Sequence, residues 1–302
     1  MNKRQIGNSD LFVSEVGLGC MSLGTDESHA VSLIEAAINQ GVNYLDTADL
    51  YDSGLNEEFV GKAIKHKRQD IILATKAGNR LYEDKPGWYW DPSKSYIKDA
   101  VKKSLQRLQT DYIDLYQLHG GTVEDNIDET IEAFEELKQE GLIRYYGISS
   151  IRPNVIKEYL TKSSIVSIMM QYSLLDRRPE EWFPLIKEHH VSIIARGPLA
   201  KGLLTEKPIE QKLSMNGYLS YNNYELESLF HELKKLNLPH TMTELALKYC
   251  LYDDVVAAVI PGASKEKQLF ENITAVSSQA LSETEYKTLQ KITKLDKYEQ
   301  HR

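Results

Sequence analysis

Four polar side chains in the first half of the sequence could together move a proton: Asp46, Tyr51, Lys76 and His119. A phenol has a pKa of about 10, and a nearby ammonium lowers that pKa because it stabilises the phenolate. A buried lysine loses its charge unless a carboxylate keeps it protonated. We therefore predict that Tyr51 donates a proton, that Asp46 keeps Lys76 charged, and that His119 orients a substrate oxygen. This chemistry needs no protein nucleophile if a cofactor supplies a hydride.

These residues lie at or just after short apolar runs, which are typical of strands buried on both faces. Asp46 ends one run, Tyr51 follows it by five residues, and Lys76 and His119 come directly after two later runs. Candidate strands lie at residues 16–20, 44–46, 71–75, 113–118, 145–149, 166–171, 192–195 and 257–260. Parallel strands lie about 5 Å apart. Because their carboxyl ends meet at one edge, we expect the four side chains to converge there.

Stretches with helical periodicity separate the candidate strands. They lie at residues 28–40, 96–108, 128–139, 154–160, 224–235, 242–251, 266–275 and 283–295. This alternation predicts an α/β protein with a parallel sheet, and eight strands predict a (β/α)8 TIM barrel that forms one domain, residues 1–302. We expect a short N-terminal β-hairpin (residues 4–6 and 11–13) before the barrel and an extra C-terminal helix. A doubly wound open sheet is the alternative, but the first strand lacks the G-x-G-x-x-G spacing of a dinucleotide turn.

Composition narrows the functional class. Lys and Arg number 36 and Asp and Glu 44, which gives a net charge of −8, and no basic patch of the kind found in nucleic-acid binders is visible. Two distant cysteines are typical of a reducing cytosol, and no zinc-ligand spacing indicates a metal site. The N-terminus lacks the apolar core of a signal peptide, and no apolar run is long enough to cross a membrane. We therefore expect a cytoplasmic monomer or weak homo-oligomer that binds neither nucleic acid nor membranes.

The motifs that carry the four residues resemble those of the aldo-keto reductase superfamily, in particular its bacterial NADPH-dependent members. The matching segments are Gly41-Val42-Asn43-Tyr44-Leu45-Asp46-Thr47-Ala48 followed by Tyr51, then Leu73-Ala74-Thr75-Lys76, then Asp114-Leu115-Tyr116-Gln117-Leu118-His119. The resemblance covers essentially the whole chain. It implies that Asp46, Tyr51, Lys76 and His119 form a catalytic tetrad with Tyr51 as the general acid. It also implies that NADPH reduces a small-molecule carbonyl substrate.

The same resemblance implies that the nicotinamide cofactor lies extended across the mouth of the barrel. The residues at the matching positions are Ser149, Ser150, Gln171, Arg196, Pro198, Leu199, Gly202, Gly262, Ser264, Lys265, Gln268 and Asn272. Ser150 stands where the family usually has Asn, and Arg196 stands where an aromatic residue often stacks on the nicotinamide. A planar guanidinium can also stack on a flat ring. A salt-bridged arginine at the barrel rim is the alternative for Arg196.

Gly262 forms a turn before a predicted helix, and the free N–H groups of a helix N-terminus favour phosphate binding. Lys265 in this segment could neutralise the 2′-phosphate of NADPH, so we expect NADPH rather than NADH. An ordinary solvated helix start is the alternative interpretation of this segment.

Aromatic residues after Lys76 predict a wall for the substrate. Trp88 and Trp90 stand in a segment predicted as a loop, and Met21 and Leu50 could complete the apolar wall. A small structural cluster that closes the barrel rim is the alternative. Residues 205–221 lack strong periodicity and could form a mobile cover over cofactor and substrate.

Three functions are compatible with these residues. The first is NADPH-dependent reduction of an aldehyde or ketone, the chemistry of an alcohol:NADP+ oxidoreductase. The second is a barrel that binds NADPH with little or no turnover and serves as a redox sensor. The third is a lyase that uses Lys76 as a Schiff base. The intact tetrad favours the first function over the second, and the predicted pairing of Lys76 with Asp46 disfavours the third.

Overall fold

The chain begins with the predicted antiparallel hairpin, in which β1 (Lys3–Gln5) pairs with β2 (Phe12–Ser14). The computed structural model describes residues 1–208, 211 and 217–302. The hairpin turn packs tightly on the body of the protein, because a Cβ atom on Gly7 would lie 2.4 Å from the carbonyl oxygen of Val166. Gly7 also has a φ of +47°, so a glycine is required here for both reasons.

Eight parallel strands form the central sheet, and each pairs with its neighbours in chain order. They are β3 (Leu18–Gly19), β4 (Tyr44–Asp46), β5 (Ile72–Ala77), β8 (Ile113–Leu118), β9 (Ile143–Ser149), β10 (Ser167–Gln171), β11 (Ser192–Arg196) and β12 (Val256–Ile260), while β6 (Asn79–Leu81) and β7 (Trp88–Trp90) form a separate hairpin. Bridges between Val16 and Val259 and between Gly19 and Gly262 join the first strand of this sheet to the last. The sheet is therefore a nearly closed barrel, which confirms the predicted (β/α)8 fold and makes the open-sheet alternative wrong.

At least one helix follows each barrel strand, directly or after the β6–β7 hairpin. The helices are α1 (Glu27–Asn39), α2 (Leu55–Ile64), α3 (Lys94–Leu108), α4 (Ile127–Gln139), α5 (Pro153–Lys162), α6 (Phe183–Glu188), α7 (Asn223–Lys235), α8 (Met242–Cys250), α9 (Glu266–Ser277) and α10 (Glu283–Ile292). Side-chain caps fix several starts: Asp26 caps α1, Ser93 caps α3, and Ser282 opens α10 with a capping box. The predicted extra C-terminal helix is α10. We find no candidate for a membrane span among the described helices.

The hairpin fills one end of the barrel with apolar side chains. Its Ile6, Leu11 and Val13 are fully buried and belong to one cluster with inward-facing strand residues. Those strand residues are Tyr44, Ala74, Leu115, Met169, Ile194, Ala257, Ala258 and Ile260, and the cluster also contains Val166, which directly precedes β10. Because this plug lies at the amino ends of the strands, the polar residues are left to the opposite, carboxyl end, where barrel enzymes carry their chemistry.

Two sequence predictions near the site are wrong in detail. Strand β5 continues to Ala77, so Lys76 lies within the strand and not after it. The aromatic segment predicted as a loop is strand β7, which pairs with β6 from Asn79↔Trp90 onwards. Helices α2 and α6 were not predicted. Of the proposed cover at 205–221, residues 209, 210 and 212–216 lie outside the described residues.

Candidate active site

A cleft of about 1340 Å³ opens at the carboxyl ends of the barrel strands. All the residues predicted for catalysis, cofactor and substrate line it: Met21, Asp46, Leu50, Tyr51, Lys76, Trp88, Trp90, His119, Ser149, Ser150, Gln171, Arg196, Pro198, Leu199, Gly202, Gly262, Ser264, Lys265, Gln268 and Asn272. Ordinary ligand pockets have volumes of about 300–1000 Å³. The cleft therefore has room for two ligands side by side.

Lys76 lies at the bottom of this cleft and joins the polar residues together. Its Nζ atom donates to Asp46 Oδ2 at 2.6 Å, to the carbonyl oxygen of Thr47 at 2.8 Å and to the hydroxyl of Tyr51 at 3.4 Å. The lysine side chain is fully buried, and that of Asp46 is 3% exposed. Strand pairing explains the contact, because Asp46 ends β4 and β4 pairs with β5, which carries Lys76.

The buried ammonium of Lys76 is held in its charged form. Burial lowers the pKa of Lys76, but Asp46 and Tyr51 raise it by more, so the net pKa lies above its ordinary value. Burial in turn raises the pKa of Asp46, and Lys76 opposes that rise. Gln117 Nε2 donates to the other oxygen of Asp46 at 3.3 Å. The carboxylate thus has partners on both oxygens, as a buried charge requires.

The phenol of Tyr51 keeps its proton at neutral pH. Burial raises the pKa of Tyr51 above its ordinary value of 10, and this effect outweighs the lowering caused by Lys76. The prediction of a lowered pKa is therefore wrong for the net value, because it counted the charge of Lys76 and omitted the burial of the ring. The ammonium at 3.4 Å still stabilises the phenolate once a proton has left.

His119 faces Tyr51 as a neutral ring. The two rings meet edge to face with their centroids 5.9 Å apart. Burial, Lys76 and Arg196 together lower the pKa of His119 to about 3. Its Nδ1 atom is buried and has no hydrogen-bond partner among the described residues. A neutral imidazole beside the phenol can hydrogen-bond to a substrate oxygen without adding a second positive charge.

Three of the predicted cofactor residues end consecutive strands. Ser149 ends β9, Gln171 ends β10 and Arg196 ends β11, and the last two are register partners. Arg196 Nη1 donates to Gln171 Oε1 at 3.1 Å. The described partner of Arg196 is thus an amide and not a carboxylate, which speaks against the alternative of a salt-bridged rim arginine.

The last strand leads into a turn suited to phosphate. A Cβ atom on Gly262 would lie 2.5 Å from Ser22 Oγ, so the turn approaches the neighbouring loop closely. Helix α9 begins after Lys265, whose side chain does not cap the helix. Gln268 Oε1 accepts from both the backbone N–H and the hydroxyl of Ser264. These contacts order the turn and leave N–H groups of the first helical turn available to an anion.

The aromatic wall consists of one fixed and one exposed ring. Trp90 lies against Gly78 and Gly120, since a Cβ atom on either glycine would come within 2.9 Å of its ring. Its Nε1 atom donates to Asp125 at 2.9 Å. Trp88 is 51% exposed and Met21 is 68% exposed. Trp90 therefore helps to close the barrel rim, as the alternative interpretation expected, and also lines the cleft. Trp88 and Met21 remain accessible to a ligand.

Sequence reasoning missed several residues that line the cleft. Asn79 is 8% exposed and donates from Nδ2 to the carbonyl oxygen of His119 at 3.0 Å. Arg152 donates to the carbonyl oxygen of Gly121 in the loop after β8. Neither residue ends a strand or belongs to a motif with a recognisable spacing, so only the fold brings them to the site.

Comparison with known proteins decides the family. A sequence model of the Aldo/keto reductase family matches residues 15–294. The chain belongs to this family. The uncharacterized oxidoreductase YqkF of Bacillus subtilis (strain 168) is 65% identical over 305 residues, which cover 100% of both chains. This aldo/keto reductase also resembles solved structures of the aldo-keto reductase AKR11C1 from Bacillus halodurans. The holo form is 63% identical with a TM-score of 0.95 and the apo form 60% identical with 0.88, each covering 100% of this chain and 99% of the other.

Family membership confirms the resemblance seen in the motifs. Aldo/keto reductases are oxidoreductases that use nicotinamide cofactors, so the coarse class of this chain follows from its family. The cleft of this aldo/keto reductase is lined by the Lys76–Asp46 ion pair and the phenol of Tyr51.

Proposed function

We propose that this aldo/keto reductase transfers a hydride from NADPH to the carbonyl carbon of an aldehyde or ketone, while Tyr51 gives its proton to the carbonyl oxygen. One observation carries the proposal: Lys76 Nζ lies 2.6 Å from the Asp46 carboxylate and 3.4 Å from the Tyr51 hydroxyl at the base of a large cleft. A buried phenol can act as an acid if a nearby positive charge stabilises the phenolate, and Lys76, kept charged by Asp46, supplies that charge.

Four side chains have separate roles in the proton transfer. Tyr51 enters the reaction protonated, because burial raises its pKa. As the proton leaves, negative charge grows on the phenolate oxygen, and the ammonium of Lys76 stabilises it. Asp46 holds that ammonium in place and charged. Neutral His119 orients the carbonyl oxygen towards the phenol.

The residues around the cleft fit a dinucleotide. Ser149 and Gln171 offer hydrogen-bonding side chains for the carboxamide, and the first turn of α9 offers N–H groups for a phosphate. NADPH supplies the hydride when it is bound. Lys265 is exposed beside that turn, and its ammonium favours a 2′-phosphate and thus NADPH over NADH.

The geometry disfavours a lyase. A Schiff base needs a neutral amine, but Lys76 donates to three oxygen acceptors and its pKa is raised by Asp46 and Tyr51. Borohydride trapping of a carbonyl compound on the protein should therefore fail.

The experiment is to follow NADPH oxidation by the purified protein across a panel of aldehydes and ketones that includes a nitrobenzaldehyde. With NADPH deuterated at the transferred position, the deuterium should appear on the carbinol carbon of the product. If the protein binds NADPH and reduces no member of the panel, the redox-sensor function replaces the reductase.

A further inference from the structure

We infer that Asn79 determines substrate specificity by accepting a hydrogen bond from a substrate hydroxyl, so that the enzyme prefers hydroxyaldehydes and hydroxyketones. The preference is relative to carbonyl compounds of similar size that cannot donate a hydrogen bond, and the inference rests on the proposed carbonyl reduction.

Asn79 is placed beside the reacting groups. It begins β6, three residues after Lys76, and it lines the same cleft as Tyr51 and His119. Its register partner Trp90 holds the hairpin against the barrel through contacts with Gly78 and Gly120. The side chain is therefore carried by a paired strand and not by a free loop.

A single hydrogen bond fixes the orientation of the Asn79 amide. Nδ2 donates to the carbonyl oxygen of His119 at 3.0 Å. A carbonyl oxygen can only accept, so the nitrogen must point towards His119 and the oxygen must point the other way. With 8% of the residue exposed, the amide has little freedom to turn over.

The Asn79 oxygen is left as an open acceptor at the cleft. No described residue donates to Oδ1, yet Oδ1 is not one of the atoms that are both buried and without a partner. Oδ1 is therefore accessible, and Asn79 is one of the residues that line the cleft.

Two donors that line the cleft are engaged elsewhere. The Thr122 hydroxyl and Trp90 Nε1 both donate to Asp125. Because no described residue donates to Asn79 Oδ1, a bound ligand is the group that can supply a donor to it. A ligand that covers this oxygen without donating a hydrogen bond removes its hydration and leaves the acceptor unsatisfied. Sites of this kind discriminate strongly against analogues that lack the hydroxyl.

The chemistry of the substrate follows from this arrangement. The carbonyl oxygen must meet Tyr51 and His119, and the amide of Asn79 is tied to the backbone of His119. The hydroxyl must therefore lie within a few atoms of the carbonyl carbon. The exposed ring of Trp88 and the apolar side chains of Met21 and Leu50 can cover the rest of the substrate.

The test compares kcat/KM for hydroxyacetone, methoxyacetone and butanone, and for the analogous set with the oxygen one carbon further from the carbonyl. The methoxy compounds keep the electron-withdrawing oxygen but cannot donate. Wild type should prefer the hydroxy compound over its methoxy partner by about tenfold in at least one set, the value of one net hydrogen bond. Asn79→Leu, which removes the acceptor, should bring that ratio close to one. Thr122→Val, whose hydroxyl is already engaged, should leave the ratio unchanged.

A merely structural role of Asn79 would lower kcat/KM for all compounds in proportion and leave the ratio intact, which would overturn the inference. Equal reduction of hydroxy and methoxy compounds by wild type in both sets would overturn it as well, while the proposed reductase function would stand. Absence of reduction of every carbonyl, including the nitrobenzaldehyde, would overturn both.

Discussion

Replacing Asp49 by Asn should make the protein more stable at alkaline pH relative to wild type. Asp49 lies on the loop between Asp46 and Tyr51 and is 8% exposed. Oδ2 accepts from the Tyr96 hydroxyl at 3.1 Å, and Oδ1 is buried with no partner among the described residues. Glu57 nearby is fully buried and takes Arg107 as its ion-pair partner at 2.6 Å. Arg107 thus pairs with Glu57, and Asp49 has no ion-pair partner among the described residues.

The magnitude follows from the pKa of Asp49. Burial, followed by the charge of Glu57, raises this pKa from 3.8 to about 7. Because the folded protein binds the proton more tightly than the unfolded chain, Asp49 stabilises the fold most below the unfolded pKa. That contribution is lost as the pH rises from about 4 through about 7. A rise of this size is equivalent to at most about 4 kcal/mol of unfolding free energy. Asn at this position keeps an acceptor for Tyr96 and does not titrate.

The assay is urea unfolding of wild type and Asp49→Asn at about pH 4 and about pH 8. The variant should gain about 2–4 kcal/mol on wild type between the two conditions, and the comparison cancels the other titrating groups that both proteins share. The exposed Asp84→Asn serves as the matched control and should show no gain. Equal losses of stability in wild type and Asp49→Asn would refute the assignment of a raised pKa to Asp49.

Two further predictions concern the cofactor and the packing of the helices. Lys265→Ala should raise the KM for NADPH by about tenfold, the value of one charge-assisted hydrogen bond, and change the KM for NADH little, whereas Lys267→Ala should affect both slightly. An equal effect of Lys265→Ala on the two cofactors would exclude contact with the 2′-phosphate. Gly61→Ala should lower the unfolding free energy by about 1–3 kcal/mol, because its Cβ would lie 2.6 Å from the backbone of Leu108. Urea unfolding measures this loss, and wild-type stability would contradict the close packing of α2 on α3.

The strands that carry the tetrad could be predicted because their apolar runs are short and sharply bounded. The limits predicted for β4 and β8 agree with the structure. Asp46 is the last residue of β4 and His119 directly follows β8, as predicted. Lys76 was predicted to follow its strand directly. It lies within β5, because that strand ends at Ala77, two residues beyond the predicted end. The polar side chains converge in either case, since the barrel register brings neighbouring strand ends together.

The parts that were missed depend on contacts between distant segments. Helix α2 starts after Gly54, whose φ is +93°, and has no side-chain cap, so no usual start signal precedes it. The β6–β7 hairpin relies on pairing across residues 82–87, and the tryptophans alone indicated only a loop. Asn79 reaches the site through that hairpin. The raised pKa of Tyr51 was missed for the same physical reason, because burial arises only when the chain has folded around the ring.

The role of Tyr51 as proton donor is tested most directly by a single-turnover experiment. Enzyme and NADPH are mixed with a nitrobenzaldehyde, and the decay of NADPH fluorescence is followed for wild type, Tyr51→Phe and the control Tyr89→Phe. Tyr51→Phe should bind NADPH with nearly unchanged affinity and lose hydride transfer by about 100- to 10,000-fold, while Tyr89→Phe should react like wild type. Hydride transfer at the wild-type rate in Tyr51→Phe would contradict the account.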